Sequence, residues 1–468
     1  MFSPISDLQV LTVAQMRAAE QALIDAGTSV DALMQFAGRG AAEWVWRVAA
    51  GREVTVLCGP GNNGGDGYVI AEVLRARGLP VQVVAPIAPK TDAAKNARRA
   101  YKGVCLSAGK DARGQVLVDC LFGSGLTRPL SAEHELLLRD LAKRHPLRIA
   151  VDLPSGVETD SGALLNGGLP DYRLTIALGA WKFAHYRLPA RAKMGDLKLV
   201  QIGVKSVTSA AQLIQPPKIA VPALDAHKYK RGLCAIVGGA MPGAALLASQ
   251  AAMRAGAGYV KLLAHNLPSS MPAGLVIDQA PLHDALEDRR IAALLIGPGL
   301  ARDREAEDRL QAALTCAKPS VLDADALVLL KPECLQECVP YLVTPHDGEL
   351  DALCRAFAVV APDRQSRALA LAKASGTVVL AKGPDTFVAA PDGRLAIAPP
   401  APSWLSVAGT GDVLAGIAAS RMANGSDAFA AACEAVWLHG EAARQLGPAF
   451  TADELALAVS GAIAAACE

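Results

Sequence analysis

The stretch Glu53–Gly67, EVTVLCGPGNNGGDG, decides how the first half of the chain is read. Its opening run, EVTVLC, is rich in apolar and β-branched side chains and predicts a strand over 53–58. It leads directly into Gly59–Gly67, which holds five glycines. A helical pattern resumes over Tyr68–Arg77, and Pro80–Ala85 predicts a second strand. Strand, glycine loop, helix, strand is one βαβ unit of an open parallel sheet. Glycines let the backbone approach a ligand closely, and successive N–H groups can form an anion-binding concavity.

Working outward, helices are expected over Thr12–Gly27, with Thr12 as N-cap, and over Ser29–Ala49. Strands over Val116–Phe122 and Arg148–Leu153 alternate with helices over Asp92–Tyr101 and Ser131–Arg144, and strands at Leu174–Ala180 and Leu197–Val204 close the domain. Ligands of such sheets bind beyond the carboxyl ends of the strands. Three loops fall there: GPGNNGGDG, Gly123–Pro129 (GSGLTRP) and Asp152–Gly156 (DLPSG). Asn62, Asn63 and Asp66 bring side-chain oxygens, and Asp119 and Asp152 bring carboxylates from strand ends. Oxygens of Asn63, Asp119 and Ser155 suit a hard cation. Glycine and asparagine also simply make tight turns, and for Asp119 alone that plainer role is preferred. For two such loops at matched strand ends, a site is preferred.

Lys205–His227 contains three prolines and no helical period, which predicts a linker and a boundary between domains 1–214 and 215–468. Beyond it, strands are expected at 232–238, 258–264, 292–296, 320–322, 341–343 and 377–381. Gly239–Gly243 (GAMPG), which leads into a small-residue helix at Ala244–Ala255, Gly297–Leu300 (GPGL), Thr344–Glu349 (TPHDGE) and Lys382–Thr386 (KGPDT) each follow one of these strands. Last comes Val407–Gly416, VAGTGDVLAG, a glycine turn entering an apolar helix. A helix N-terminus there favours an anion, so Asp412 needs a task beside it, and taking a proton from a hydroxyl is the natural one. Asp412 as a mere helix cap, His346 as a structural histidine and Lys382 as a solvated lysine are the competing readings. No Gly-x-x-x-x-Gly-Lys-Ser/Thr occurs, which argues against a P-loop NTPase.

Composition narrows the class. The 468 residues are 52% hydrophobic and 19% charged with a formal net charge of +1, so two or three packed domains are expected and bulk attraction to nucleic acid or anionic membrane is not. Ten scattered cysteines include no Cys-x-x-Cys pair and suggest neither a zinc framework nor a disulfide scaffold. With no secretory pattern in MFSPISDLQVLTVAQM and no long apolar run, a cytoplasmic protein without a membrane partner is expected.

GPGNNGGDG together with DLPSG resembles the YjeF N-terminal domain, the NAD(P)H-hydrate epimerase family, over residues 10–205. That resemblance implies that Asn62, Asn63, Gly64, Gly65 and Asp66 bind the hydrated cofactor. Gly123, Ser124, Gly125, Leu126, Thr127, Arg128 and Pro129 would complete the pocket with Asp152, the implied proton shuttle. Potassium would be held by Asn63, Asp119 and Ser155. Residues 225–466, through PGAALLA, GPGL, TPH, KGPDT and GTGDVLAG, resemble the ribokinase-like ADP/ATP-dependent NAD(P)H-hydrate dehydratases. Here Ala244, Gly299, His346 and Asp412 are implied to line the hydrate. Lys382, Gly383, Pro384, Asp385, Thr386 and Gly411 would hold the nucleotide, with Mg²⁺.

The fold expected is therefore α/β in two domains, a Rossmann-like three-layer α/β/α domain and a ribokinase-like domain. The implied function is repair of NADHX and NADPHX: epimerisation of R and S forms, then ADP-dependent dehydration of the S form, by a homo-oligomer. Asp347 and Ala408 stand where that family usually has proline and often glycine. The alternative is a ribokinase-like kinase of a vitamin-precursor alcohol carrying a non-catalytic N-terminal binding module.

Overall fold

A computed structural model describes residues 7–267 and 269–467. The first six residues, part of the stretch from which no secretory leader was expected, lie outside them. The chain divides into two compact units, 1–212 and 213–468. Among the described residues no helix is long and apolar enough to cross a membrane.

The N-terminal unit begins with α1 (Val13–Asp25), capped by Thr12 in a capping box with Gln15, and α2 (Val30–Ala49), capped by Ser29. Its sheet comprises β1 (Val54–Cys58), β2 (Val81–Val84), β3 (Val104–Leu106), β4 (Val116–Cys120), β5 (Leu147–Val151), β6 (Leu174–Leu178) and β7 (Asp196–Val200). Their order is β3-β2-β1-β4-β5-β6-β7, with every pairing parallel. The topological switch point, where ligands of such sheets bind, therefore lies between β1 and β4. Helices α2, α3 (Asn62–Ala76) and α4 (Asp92–Ala100) cover one face, and α5 (Ala132–Arg144) covers the other, giving three layers.

The glycine loop is shorter than expected. Helix α3 begins at Asn62, so Asn62–Gly67 are its first turns rather than loop. Close packing explains the glycines inside it. A Cβ on Gly64 would lie 1.9 Å from the Gly59 carbonyl oxygen, and one on Gly67 would lie 2.8 Å from Cys58 Sγ. The presumed linker is also partly ordered: in a strand at Ala211–Leu213, Ala211 and Gln212 pair antiparallel with Val10 and Gln9.

The C-terminal unit contains β8 (Leu233–Val237), β9 (Tyr259–Leu263), β10 (Val276–Asp278), β11 (Ile291–Ile296), β12 (Ser320–Leu322), β13 (Tyr341–Val343), β14 (Val378–Ala381), β15 (Phe387–Ala389) and β16 (Leu395–Ile397). They run in the order β10-β9-β8-β11-β12-β13-β14-β15-β16. Pairings are parallel as far as β14, and β14–β15 and β15–β16 are antiparallel. The helices used below are α6 (Pro242–Arg254), α7 (Arg304–Thr315), α8 (Asp347–Ala356), α9 (Arg364–Ser375), α10 (Thr410–Ala423), α11 (Ala428–Leu446) and α12 (Ala452–Ala466). Alanine and glycine let α6 and α10 cross closely: a Cβ on Gly416 would lie 2.1 Å from the Ala248 carbonyl oxygen.

Candidate active sites

Helix caps mark out both sites. Every helix of nine residues or longer has a capping side chain except α3, α6 and α10, which start after Gly61, Met241 and Gly409. Among the described residues their first N–H groups have no side-chain acceptor, which leaves them for solvent or a ligand.

In the N-terminal unit a cavity of about 390 Å³ opens at the switch point. Gly61, Asn62, Asn63 and Asp66 line it from the start of α3, and Leu121–Leu126 from the turn after β4. Asp152, just beyond β5, sits at φ +65°, in the left-handed region that side chains rarely adopt. Its Oδ1 is 2.6 Å from Lys182 Nζ, and its Oδ2 accepts from the Ser124 N–H at 2.7 Å. Lys182 also donates to the Leu178 carbonyl, and both members of the pair are buried. Burial opposes ionisation of Asp152, but the ammonium and the N–H win and hold its pKa down at about 2. His185 clamps this arrangement. Its Nδ1 accepts from the Lys182 N–H, so its Nε2 donates to the Asp152 carbonyl oxygen at 2.8 Å. Burial, then the Lys182 charge, push its pKa down to about 4, which keeps the ring neutral at pH 7.

Beside the pair, Glu20 and Asp66 face the same cavity. Burial raises both carboxyls, and the Asp152 charge raises them further, Asp66 most of all. Asp119 lies deeper. It accepts from Leu121 N–H, Ser155 N–H, Ser155 Oγ and Tyr172 OH, and burial raises its pKa. Ser155 Oγ in turn accepts from the Phe122 N–H, tying DLPSG to the turn after β4. Asn63 donates to the Val151 carbonyl, while its buried Oδ1 has no partner. A buried amide oxygen and a buried carboxylate, the one without a hydrogen-bond partner and the other without an ion pair among the described residues, fit a monovalent cation.

Not every expected residue reaches this cavity. Gly64 and Gly65 are buried against Gly59 and Met34, and Thr127, Arg128 and Pro129 are exposed outside the lining. Lys182, His185, Glu20 and Arg17, by contrast, belong to the site or its support and were not anticipated.

In the C-terminal unit, Asp412 occupies the first turn of α10, where Gly409 adopts φ +90°. Nearby, Lys382 Nζ is 2.6 Å from Asp323 Oδ1 and 4.0 Å from Glu349 Oε2. Thr344 Oγ1 donates to the same Asp323 oxygen at 2.6 Å. Lys382 therefore does not point into solvent. A Cβ on Gly411 would come within 3.6 Å of its ammonium. Burial, and then the Asp323 and Glu349 charges, lift Asp412 to about 7 even though Lys382 pulls the other way.

His346 caps α8 through Nδ1, which accepts from the Gly348 and Glu349 N–H groups, and its Nε2 lies 3.3 Å from Glu349 Oε1. The structural role thus holds, while the half-exposed ring stays beside the carboxylate cluster. Gly299, at φ +66°, packs on Met241 at the entrance to α6, where Ala244 lies. Asp385 and Asp347 share Arg364, whose guanidinium covers Gly383. Thr386 Oγ1 closes the KGPDT turn on the Gly383 carbonyl at 2.8 Å. The oxygen-only donors around Lys382 suit a hard cation such as Mg²⁺. Among the described residues no three His, Cys, Asp or Glu side chains are grouped to hold a metal unaided, so such an ion would be shared with phosphate oxygens.

Two α/β units, each with titratable groups gathered beyond the carboxyl ends of its parallel strands, define a two-domain α/β enzyme. Residues 30–184 match the model of the YjeF-related protein N-terminus, and residues 234–463 match that of NAD(P)H-hydrate dehydratase. The bifunctional NAD(P)H-hydrate repair enzyme Nnr of Salinibacter ruber is 33% identical, with 94% of this chain and 92% of that protein covered. Its Escherichia coli namesake is 33% identical over 85% and 82%. The Bacillus subtilis ADP/ATP-dependent NAD(P)H-hydrate dehydratase, co-crystallised with ATP/Mg²⁺, is 26% identical, covers 53% of this chain and 95% of its own, and has a TM-score of 0.47. The chain belongs to the family of bifunctional NAD(P)H-hydrate repair enzymes.

Proposed function

We propose that residues 1–214 interconvert the R and S epimers of NADHX and NADPHX, and that residues 215–468 dehydrate the S epimer at the expense of ADP, releasing AMP and phosphate. The observation that carries the dehydratase reading is Asp412, a carboxylate poised near pH 7 at an uncapped helix N-terminus. Hydroxide is a poor leaving group, so a kinase-like fold first makes the hydroxyl a phosphate ester. Asp412 takes the hydroxyl proton as the oxygen meets phosphorus. The first N–H groups of α10, among them Gly411, face the charge that develops on the transferred group. Lys382 neutralises Asp323 and lowers the Asp412 pKa, which leaves Asp412 available as a base near and above pH 7. Mg²⁺, when bound, would neutralise phosphate charge, with Asp323 and Glu349 the residues to hold it or its waters. Lys382–Thr386 and Gly411 form the nucleotide side of this pocket, and Ala244, Gly299 and His346 the hydrate side.

In the N-terminal unit, Asn63, Asp119 and Ser155 would hold K⁺, whose charge would offset that of Asp119. Asp152 is held ionised by Lys182, so its part is narrower than a proton shuttle: it presents a fixed negative charge to the ring. Ten free thiols fit the cytoplasmic setting proposed with this function, and a homo-oligomer is proposed with it, to be checked by sedimentation.

The test is incubation of purified protein with mixed epimers and ADP. Complete recovery of NADH with equimolar free phosphate is expected. A stable phosphorylated product would instead mark a kinase. Recovery that stops once the S epimer is exhausted would remove the epimerase.

A further inference from the structure

We infer that Asp66 is the acid of the N-terminal site: its carboxyl protonates the ring hydroxyl while Asp152 stays an anion beside the resulting cation. The inference rests on the epimerase reading and assigns its proton-transfer step. Asp66, Glu20, Asp152 and Lys182 converge on one cavity from α3, α1, the end of β5 and the segment after β6. The oxygens of Asp152 are committed, one to Lys182 and one to the Ser124 N–H. Among the described residues no hydrogen bond of this kind holds Asp66, which is 7% exposed and lines the cavity. The groups that face it are Asp152, Glu20 and Lys182, with Cys58 and Cys120 behind it. Burial and the two carboxylates outweigh the ammonium and push the Asp66 carboxyl well above the usual carboxylate range, toward its protonated form. Two carboxyls in one site whose surroundings push them in opposite directions divide into an acid and a fixed anion.

The step balances. The hydroxyl-bearing carbon is bonded to the ring nitrogen, whose lone pair forms a C=N⁺ bond as the C–O pair leaves with oxygen. The Asp66 proton goes to that oxygen and water departs, leaving the Asp66 carboxylate and a ring cation beside Asp152. Water then adds to the opposite face and loses a proton to solvent, and Asp66 takes one back from solvent. The starting acid is restored and the carbon is inverted.

The experiment uses the full-length chain and single epimers separated by chromatography, without nucleotide, with rates taken above the spontaneous background. Asp66→Asn is expected to slow epimerisation about 100-fold or more, Asp66→Glu to restore part of it, and Glu20→Gln to change it only a few-fold. Dehydration of the S epimer with ADP should be unchanged in all three, and an unchanged thermal denaturation profile of the full chain reports that the N-terminal unit is folded. In heavy-oxygen water the wild type should label the hydroxyl at the rate of epimerisation. Wild-type rates in Asp66→Asn, a loss that falls on Glu20→Gln instead, or label that lags inversion would overturn the assignment alone. Absence of epimerisation in the wild type would overturn the epimerase reading with it.

Discussion

Asp152 is buried and Asp412 partly buried, each with a lysine nearby, yet one is held far below neutrality and the other is raised to it. In the N-terminal unit Lys182 bonds Asp152 directly, and the carboxylate is held down at about 2. In the C-terminal unit Lys382 bonds Asp323 instead, and Asp412 rises to about 7. Which carboxylate the lysine touches thus decides whether the catalytic one is a fixed charge or a base that titrates in use. A fixed anion suits a ring that turns cationic, and a base near neutrality suits a hydroxyl that must lose its proton.

The hardest way to break this contrast is Asp412→Asn. Loss of the base is expected to slow NADH recovery from the S epimer by about 100- to 10,000-fold, with epimerisation intact. Lys182→Met comes next. Leaving Asp152 buried without its cation should cost about 3–5 kcal/mol of stability, read as a lower denaturation midpoint, and the Asp152→Asn/Lys182→Met pair should recover part of it. Lys382→Met sharpens the comparison through a pH profile. Lys382 lowers the Asp412 pKa, so its removal should move the acid limb of dehydratase kcat/KM to higher pH, whatever happens to the plateau. The smallest effect is expected from Asp347→Pro. The Asp347–Arg364 pair is half-exposed and worth about 0–1 kcal/mol, so the KM for ADP should change no more than about fivefold.

Much of the architecture could be read from the chain because β1, β5, β8 and β11 are short apolar runs that stop at glycine or aspartate. The strands β3, β10, β15 and β16, three residues each, carry little pattern, and unlike the equally short β12 and β13 no loop of either site leads out of them to mark them. Asn62–Gly67 looked like a loop because glycine weakens helices, and only the backbone of Gly59 pressed against Gly64 shows why a helix needs it there. Asp152 and Asp412 stood out at strand and helix ends. Lys182 did not, because nothing in WKFAHY distinguishes a buried lysine from a solvated one, and its partner lies 30 residues earlier. Asp347, in the place of the family's usual proline, brings a charge. Arg364, 17 residues later, neutralises it, a pairing that only the packing of α8 against α9 creates.

The pH dependence of wild-type kcat/KM for the S epimer with saturating ADP reads the ionisation of Asp412 most directly. A carboxylate raised to about 7 is a base above that pH and is lost as a base below it, so the profile should fall tenfold per unit on the acid side of about pH 7. A profile flat down to pH 5 would mean that Asp412 is ionised like an ordinary surface aspartate, and that the placement of Lys382 on Asp323 does not govern the reaction.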